Sequence, residues 1–359
     1  MSIKFRFATN EEKEEWNEVV DKSSSSEIFH SYEWGHLLER TYNLKFFRLV
    51  TETSNKITGI LPFIYFQNPF FGPKIVSLPF ADIGGPITTD EHRNMSDTLP
   101  KELIKIARKW NTKFIEIRSL QKNANHLSLL GFVSSLHAFT YRLNTARPYN
   151  EIWKNYSKKI RHNIRKMGDL GLRIKEAKGT HDVDTYYAIY LERMKNFGTP
   201  PAPISFWRNM WRIFHSKGQM KLIFTVLDDK EIAGSTALLF KRKLYFILNV
   251  SLKKFWKYYG LNELLFDWYI KYACENQYDL IDFGRTRKDT GIQRFKEKGW
   301  GTKRIPLNTY YHFLRGKRQN PLETALRTGN IYAKAWNAII PTPVTPVLGY
   351  FLRKNIGDI

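Results

Sequence analysis

The chain has 359 residues, with Lys+Arg 57 against Asp+Glu 34 and a formal net charge of +23. Hydrophobic residues at 42% and aromatics at 15% exclude a disordered chain, and the length favours two domains over one. The single cysteine, Cys274, excludes an intrachain disulfide and a cysteine-based zinc site. The cation excess points to a polyanionic partner, whether nucleic acid, an anionic membrane or a phosphate-bearing substrate; a basic solubilising surface is the plainer reading. No apolar run reaches signal-peptide or membrane-spanning length, so a cytoplasmic location is expected.

Taken in order, residues 11–21 read as an exposed helix anchored by Trp16, Val19 and Val20. A second helix is expected over 29–38, with Tyr32, Trp34, Leu37 and Leu38 at helical spacing. Strand-like runs follow at 46–51, 57–66 and 74–80, the last ending in the turn Ala81-Asp82-Ile83-Gly84-Gly85-Pro86. A helix over 90–110 and a strand over 114–118 close this half. Past Arg147-Pro148 the spacing predicts one basic helix over 153–167, with Ile152, Trp153, Tyr156, Ile160, Ile164 and Met167 as its apolar stripe. Its other faces carry Lys154, Lys158, Lys159, Arg161, Arg165 and Lys166 without one acid. Such cations repel one another unless a polyanion or membrane neutralises them; a solvated helix face is the alternative. Next come a strand over 172–178, helices over 181–197 and 204–217, and three strands over 219–251. A helix over 260–276 and a strand over 280–285 follow.

The two halves resemble each other. Asn55-Lys56-Ile57-Thr58-Gly59-Ile60 opens a hairpin as Lys230-Glu231-Ile232-Ala233-Gly234-Ser235 does. Each hairpin leads through a strand and a helix to a short acidic strand, Phe114-Ile115-Glu116-Ile117-Arg118 and Leu280-Ile281-Asp282-Phe283-Gly284-Arg285. This order suggests a duplicated α/β unit, against chance likeness of two ordinary runs. From Pro321, apolar residues at helical spacing (Leu322, Leu326, Tyr332, Trp336, Ile339) alternate with Arg327 and Lys334, before Val347-Leu348-Gly349-Tyr350-Phe351-Leu352-Arg353-Lys354. This tail either packs back onto the body or lies at a membrane interface, peripheral on its inner face.

Lys257-Tyr258-Tyr259-Gly260-Leu261-Asn262 opens the helix after the second hairpin, where backbone N–H groups and the helix dipole suit a phosphate or oxyanion. It resembles a degraded pyrophosphate loop of GCN5-related acetyltransferases, and a plain helix start reads equally well. No metal-ligand spacing, Gly-x-Ser-x-Gly elbow or Walker sequence is present, so no metal or cofactor is expected. What remains is direct transfer, in which the protein positions two substrates and stabilises charge at the reacting carbonyl.

Asp282-Phe283-Gly284-Arg285, Gly291, Phe295-Lys296, Trp300-Gly301, Pro306-Leu307 and Tyr310-Tyr311 together resemble the FemABX family, and most its FemAB-related, BioF2-like branch. Ser31-Tyr32-Glu33-Trp34-Gly35, Ser77-Leu78-Pro79-Phe80-Ala81-Asp82, the segment 160–172 and Gly198-Thr199-Pro200 extend the match over about residues 28–315. The resemblance implies an α/β (α+β) protein of two tandem GNAT-like acyltransferase domains, 1–145 and 146–318, with a basic amphipathic tail over 319–359. It implies transfer of a tRNA-borne aminoacyl group to an amine of a peptidoglycan or other cell-envelope precursor. Lys296 maps onto the family's lysine in the transfer channel, with a role at the oxyanion; pairing with Glu297 is the plainer alternative.

Asp282 and Arg285 are expected to orient substrate, and Asp82 either to orient or deprotonate the amine or to stabilise its turn. Arg161, Arg165 and Lys166 are expected on phosphates, with Phe295, Tyr259, Gly260, Trp300 and Trp34 as further substrate-binding candidates. Two departures count toward an acyl-CoA or acyl-carrier-protein donor in place of aminoacyl-tRNA. Leu38 stands where the cell-wall branch has a lysine, and no long helical arm is readable between Ala177 and Ile270. A non-catalytic binder of anionic envelope precursors is the rival from another class.

Overall fold

The computed structural model describes residues 3–68, 72–120, 125–258, 260–288, 290–315, 336 and 340–356. These fall into two compact units, one holding 3–137, 306–315 and 351–356, the other 138–305, 336 and 340–350.

The first unit runs β1 (Lys4–Phe7), α1 (Lys13–Lys22), α2 (Tyr32–Tyr42), β2 (Phe46–Thr53), β3 (Lys56–Asn68), β4 (Gly72–Ser77) and β5 (Ile87–Thr88). α3 (Thr98–Lys109), β6 (Phe114–Leu120) and α4 (Asn125–Leu129) follow. β1 to β4 pair antiparallel, and β2 turns into β3 through Ser54 and Asn55, both at positive φ as a tight two-residue hairpin requires. β4 then runs parallel to β6, a pairing that needs a crossover, and α3 supplies it. Leu99, Leu103 and Ala107 of α3 pack on Leu61, Phe63, Ile115 and Ile117 of the sheet. β4 stops at Ser77, earlier than expected, because Leu78 and Phe80 both adopt positive φ. The Ser77 hydroxyl holds that bend by donating to Gly84 O at 2.7 Å and lies 3.0 Å from Pro62 O.

The second unit takes residues 138–144 of β7 (Val133–Asn144) and continues with α5 (Tyr149–Asn155), α6 (Lys158–Asp169) and β8 (Arg173–Glu176). α7 (Thr180–Phe197), α8 (Ile204–Phe214), β9 (Met220–Leu227), β10 (Lys230–Phe240) and β11 (Lys243–Ser251) come next. α9 (Leu261–Glu275), β12 (Leu280–Asp282) and α10 (Gly291–Glu297) complete it. Its sheet order is β8-β9-β10-β11-β12-β7. β11 and β12 pair parallel across α9 as β4 and β6 do across α3, and the β9–β10 hairpin turns through Asp228 and Asp229 at positive φ. β13 (Lys303–Phe313) pairs antiparallel with β6 in the first unit, as β7 pairs with β12 in the second. The duplication read from sequence is therefore present as two matching strand orders, β1-β2-β3-β4-β6-β13 and β8-β9-β10-β11-β12-β7.

One expectation is corrected here. The basic segment 153–167 is two helices, because Tyr156 adopts an extended ψ of 144° and Ser157 caps α6, its hydroxyl accepting from Ile160 N at 3.3 Å. Ile160, Ile164 and Met167 of α6 join Leu265, Phe266 and Ile270 of α9 and Leu244 and Ile281 of the sheet in one core.

α9 also turns two carboxylates inward, one helical turn apart. Glu263 accepts from Asn163 Nδ2 at 2.9 Å and Asp267 from Tyr149 Oη at 2.8 Å. Burial pushes the Asp267 carboxyl up to about 6 and the Glu263 carboxyl in the same direction. Because the folded state binds the Asp267 proton more tightly than the unfolded chain, this contribution is fully present below about pH 4 and is lost as pH rises through about 6. Asp267→Asn is expected to remove that fall. Urea midpoints of wild type and variant, compared across this range, check it: parallel curves would contradict the assignment.

Candidate functional site

The end of β12 is tied down from three directions. The Asp282 carboxylate accepts from the Thr140 hydroxyl, from Arg142 Nε at 2.8 Å and from Gly284 N at 2.9 Å. Thr140 and Arg142 belong to β7, so one buried side chain bonds the two strands and closes the turn after them. Gly284 sits at φ +70, and a Cβ there would lie 3.0 Å from Phe246 O, so the turn excludes a side chain. On the far side, Lys296 reaches back from α10 and donates to Phe283 O and, at 3.0 Å, to Gly284 O. Only 7% of Lys296 is exposed. Its ammonium, expected at a reacting oxyanion, is thus held on backbone carbonyls of the Asp282 turn.

The other predicted residues divide between core and surface. Trp300 is buried against Tyr156 and Phe295, its indole Nε1 without a hydrogen-bond partner among the described residues, and Phe295 packs edge-on to Phe266 at 5.0 Å. Trp34 is fully buried in the first unit, edge-on to Phe29 at 4.9 Å. These indoles, expected at substrate from the motifs that carry the resemblance, are buried core groups. Asp82 is half-buried in the first unit, in the bend after β4, and Arg285 is half-buried past the Asp282 turn. Arg161 donates to Lys154 O at 2.7 Å, satisfying a carbonyl at the end of α5. Arg165 lies exposed over the Trp153 ring at 5.9 Å, and Lys166 is exposed. With Lys158, Lys159 and His162 they form an exposed cationic face of α6 that has no carboxylate partner among the described residues. Tyr259 lies outside the described residues. Gly260 is the N-cap of α9, where a Cβ would come within 2.6 Å of Asn163 O; only glycine lets α6 and α9 approach so closely.

A cavity of about 300 Å³ opens beside Gly260. Arg193, Phe197, Trp256, Tyr258, Leu261 and Asn262 are among its lining residues, drawn from the end of α7, the segment after β11 and the first turn of α9. Tyr258, Leu261 and Asn262 belong to the segment read from sequence as suited to a phosphate or oxyanion, whereas Lys296, Asp282, Arg285, Asp82, Trp300 and Trp34 do not line it. The Arg193 guanidinium lies between two rings, 3.8 Å from Phe197 and 4.2 Å from Trp256. It makes no hydrogen bond or ion pair among the described residues, and burial pulls it down to about 10. Trp256 is fixed in turn, its Nε1 donating to Ser251 Oγ at 3.1 Å. A desolvated cation without a counter-ion and a helix start without a side-chain cap both favour an anion in this space. The sequence singled out the loop up to Gly260 but not Arg193, whose setting depends on α7 meeting that loop.

Residues 154–297 match a family model described as an acetyltransferase (GNAT) domain, which supports acyl-group transfer in general. No curated protein is matched. Among solved structures, FemX is 14% identical, with 87% of this chain and 97% of that one covered at a TM-score of 0.69. The C-terminal domain of a putative lysylphosphatidylglycerol synthetase from Agrobacterium fabrum is 13% identical, covering 90% and 96% at 0.60. A tandem GNAT protein from the clavulanic acid biosynthesis pathway is 10% identical, covering 88% and 100% at 0.53. With its two matching strand orders and its acetyltransferase-domain match, the chain has the FemX-like, tandem GNAT fold that its motifs resemble.

Proposed function

We propose that the protein forms an amide bond, moving an acyl or aminoacyl group from a phosphate-bearing donor to an amine, in keeping with the family resemblance to enzymes of cell-envelope precursors. The observation that carries this reading is Arg193, half-buried and without a counter-ion among the described residues, beside the uncapped start of α9. A donor phosphate seated there would satisfy both, and its acyl carbonyl would then be presented for direct attack by the amine nitrogen. The amine loses its proton as the tetrahedral adduct collapses and the donor's thiolate or hydroxyl leaves.

A tRNA-borne donor is favoured by one further observation, the unpaired cationic face of α6. An acyl-CoA or acyl-carrier-protein donor is the second reading, and it uses the cavity alone. We read Lys296 as a positioning residue that holds the turn presenting Arg285.

Arg193→Ala is expected to weaken donor binding about tenfold or more, since a hydrogen bond to a charged group contributes roughly 1.5–3 kcal/mol. The melting temperature should fall only modestly, because the guanidinium's protein contacts are the rings of Phe197 and Trp256, with no hydrogen bond or ion pair among the described residues. Filter binding with tRNA and thermal shift with acyl-CoAs separate the donors: a salt-dependent tRNA signal without a CoA shift favours aminoacyl transfer. Donor affinity untouched by Arg193→Ala for both would refute the cavity as the donor site. Lys296→Met should cost about 1–3 kcal/mol of stability by stranding two carbonyls, measured by urea unfolding. Turnover should fall while donor affinity in the folded variant stays; loss of affinity with no turnover in wild type would favour a non-catalytic binder.

A further inference from the structure

The helix α11 (Thr345–Ile356) buries the wrong side for an ordinary surface helix. Its inward positions, Thr345, Gly349 and Arg353, are spaced by four residues. A Cβ at Gly349 would stand 2.2 Å from Pro201 O, so this face sits directly on backbone and admits no side chain there. The Thr345 hydroxyl donates to Thr342 O at 2.7 Å, and Lys195 at the end of α7 donates to Ile340 O. The helix is therefore held in one orientation by specific contacts.

That orientation turns its bulky apolar residues outward. Val344, just before the helix, is 44% exposed, Val347 58%, Phe351 56% and Leu352 40%. A surface helix normally does the reverse, with its apolar stripe inward and polar groups in water. Every exposed residue from Pro341 to Leu352 is uncharged. An apolar ridge fixed outward in this way marks a surface that something apolar covers.

Charge identifies the occupant. From Thr324 to Gly357 the sequence has no acidic residue but includes Arg327, Lys334 and Lys354 besides the inward Arg353, within a chain of net charge +23. A second copy would bring a net charge of +23 against +23, which opposes self-association. Four side chains also fall well short of the roughly 800 Å² per partner of a stable protein interface. A bilayer asks for less, because shallow insertion of an apolar face adds to attraction between basic residues and anionic headgroups. We propose that α11 docks the protein on an anionic membrane surface, with Val344, Val347, Phe351 and Leu352 entering the interface.

Flotation of the purified full chain with phosphatidylcholine vesicles, with and without phosphatidylglycerol, tests this. Wild type should float with the anionic vesicles and much less with the neutral ones. Val347→Asp and Phe351→Asp should each lower the bound fraction at least fivefold, whereas Phe351→Leu should retain it. The substituted side chains point to solvent, so unchanged melting temperatures establish that the variants are folded. Equal flotation of wild type and the aspartate variants would overturn the proposal, assigning binding to basic surfaces elsewhere. Absence of binding to either vesicle would overturn it too. So would a concentration-dependent dimer in light scattering that the same substitutions abolish. Donor affinity of these variants should match wild type, so the outcome is independent of the reading of Arg193.

Discussion

A buried carboxylate at the end of a strand needs several donors at once, and the second unit is arranged around meeting that need for Asp282. Thr140 and Arg142 come from one neighbouring strand and the N–H of Gly284 from the turn that follows. Lys296 then caps the carbonyls that the same turn leaves facing the other way. Each charge is satisfied only while the turn keeps its shape, and losing one member of a buried pair typically costs about 3–5 kcal/mol. Strand pairing, the turn and the placement of α10 are thus one cooperative device. Its residue types (acid, glycine, lysine) are also those that chemistry would select, which is why a motif so suited to catalysis serves first as architecture.

The same parallel pairing explains where the cavity lies. β11 and β12 run in one direction, so α9 must carry the chain back between them, and its first turn comes to rest beside the end of β11. α7 is set against the sheet by Gly234, where a Cβ would lie 2.7 Å from the Tyr186 ring, and by Tyr186 Oη donating to Leu248 O at 3.3 Å. Two turns further on, Glu192 accepts from Lys253 N at 2.8 Å and Arg193 slides between Phe197 and Trp256. The unpaired guanidinium is thus a product of three elements meeting, each registered by its own local contacts.

This bears on what the sequence could disclose. Helices with a clean apolar period, such as α1 on Trp16, Val19 and Val20, were legible, as were the two hairpins, because burial imposes the period directly. β1, β7 and β13 were not anticipated. β13 begins Lys303-Arg304-Ile305-Pro306, and β7 begins Val133-Ser134-Ser135, openings with little of the alternation that marks a half-buried strand. Ser157 was a readable cap that the continuous stripe from Ile152 to Met167 outweighed. At the candidate site, Trp300 and Trp34 stood out as large aromatics near motifs, yet aromatics of that size are drawn to cores for their area alone. Arg193 gave no signal of its own, since an arginine near a helix end is ordinary until its neighbours remove its water and supply no anion.

The carboxylates beneath α6 show how the surface above them stays positive. Glu263 lies on the helix packed against α6, close enough for Lys159 to favour its charged form, yet its bonded partner is the neutral Asn163. Asp267 likewise bonds the phenol of Tyr149. Burial raises both acids toward their protonated forms, which weakens their hold on any nearby cation. Lys158, Lys159, Arg165 and Lys166 make no ion pair among the described residues. A solvated face of this kind carries mutual repulsion that an external polyanion would relieve, and that relief would grow as salt is lowered. The acids of α9 thus face inward onto uncharged partners, while the cations of α6 face solvent.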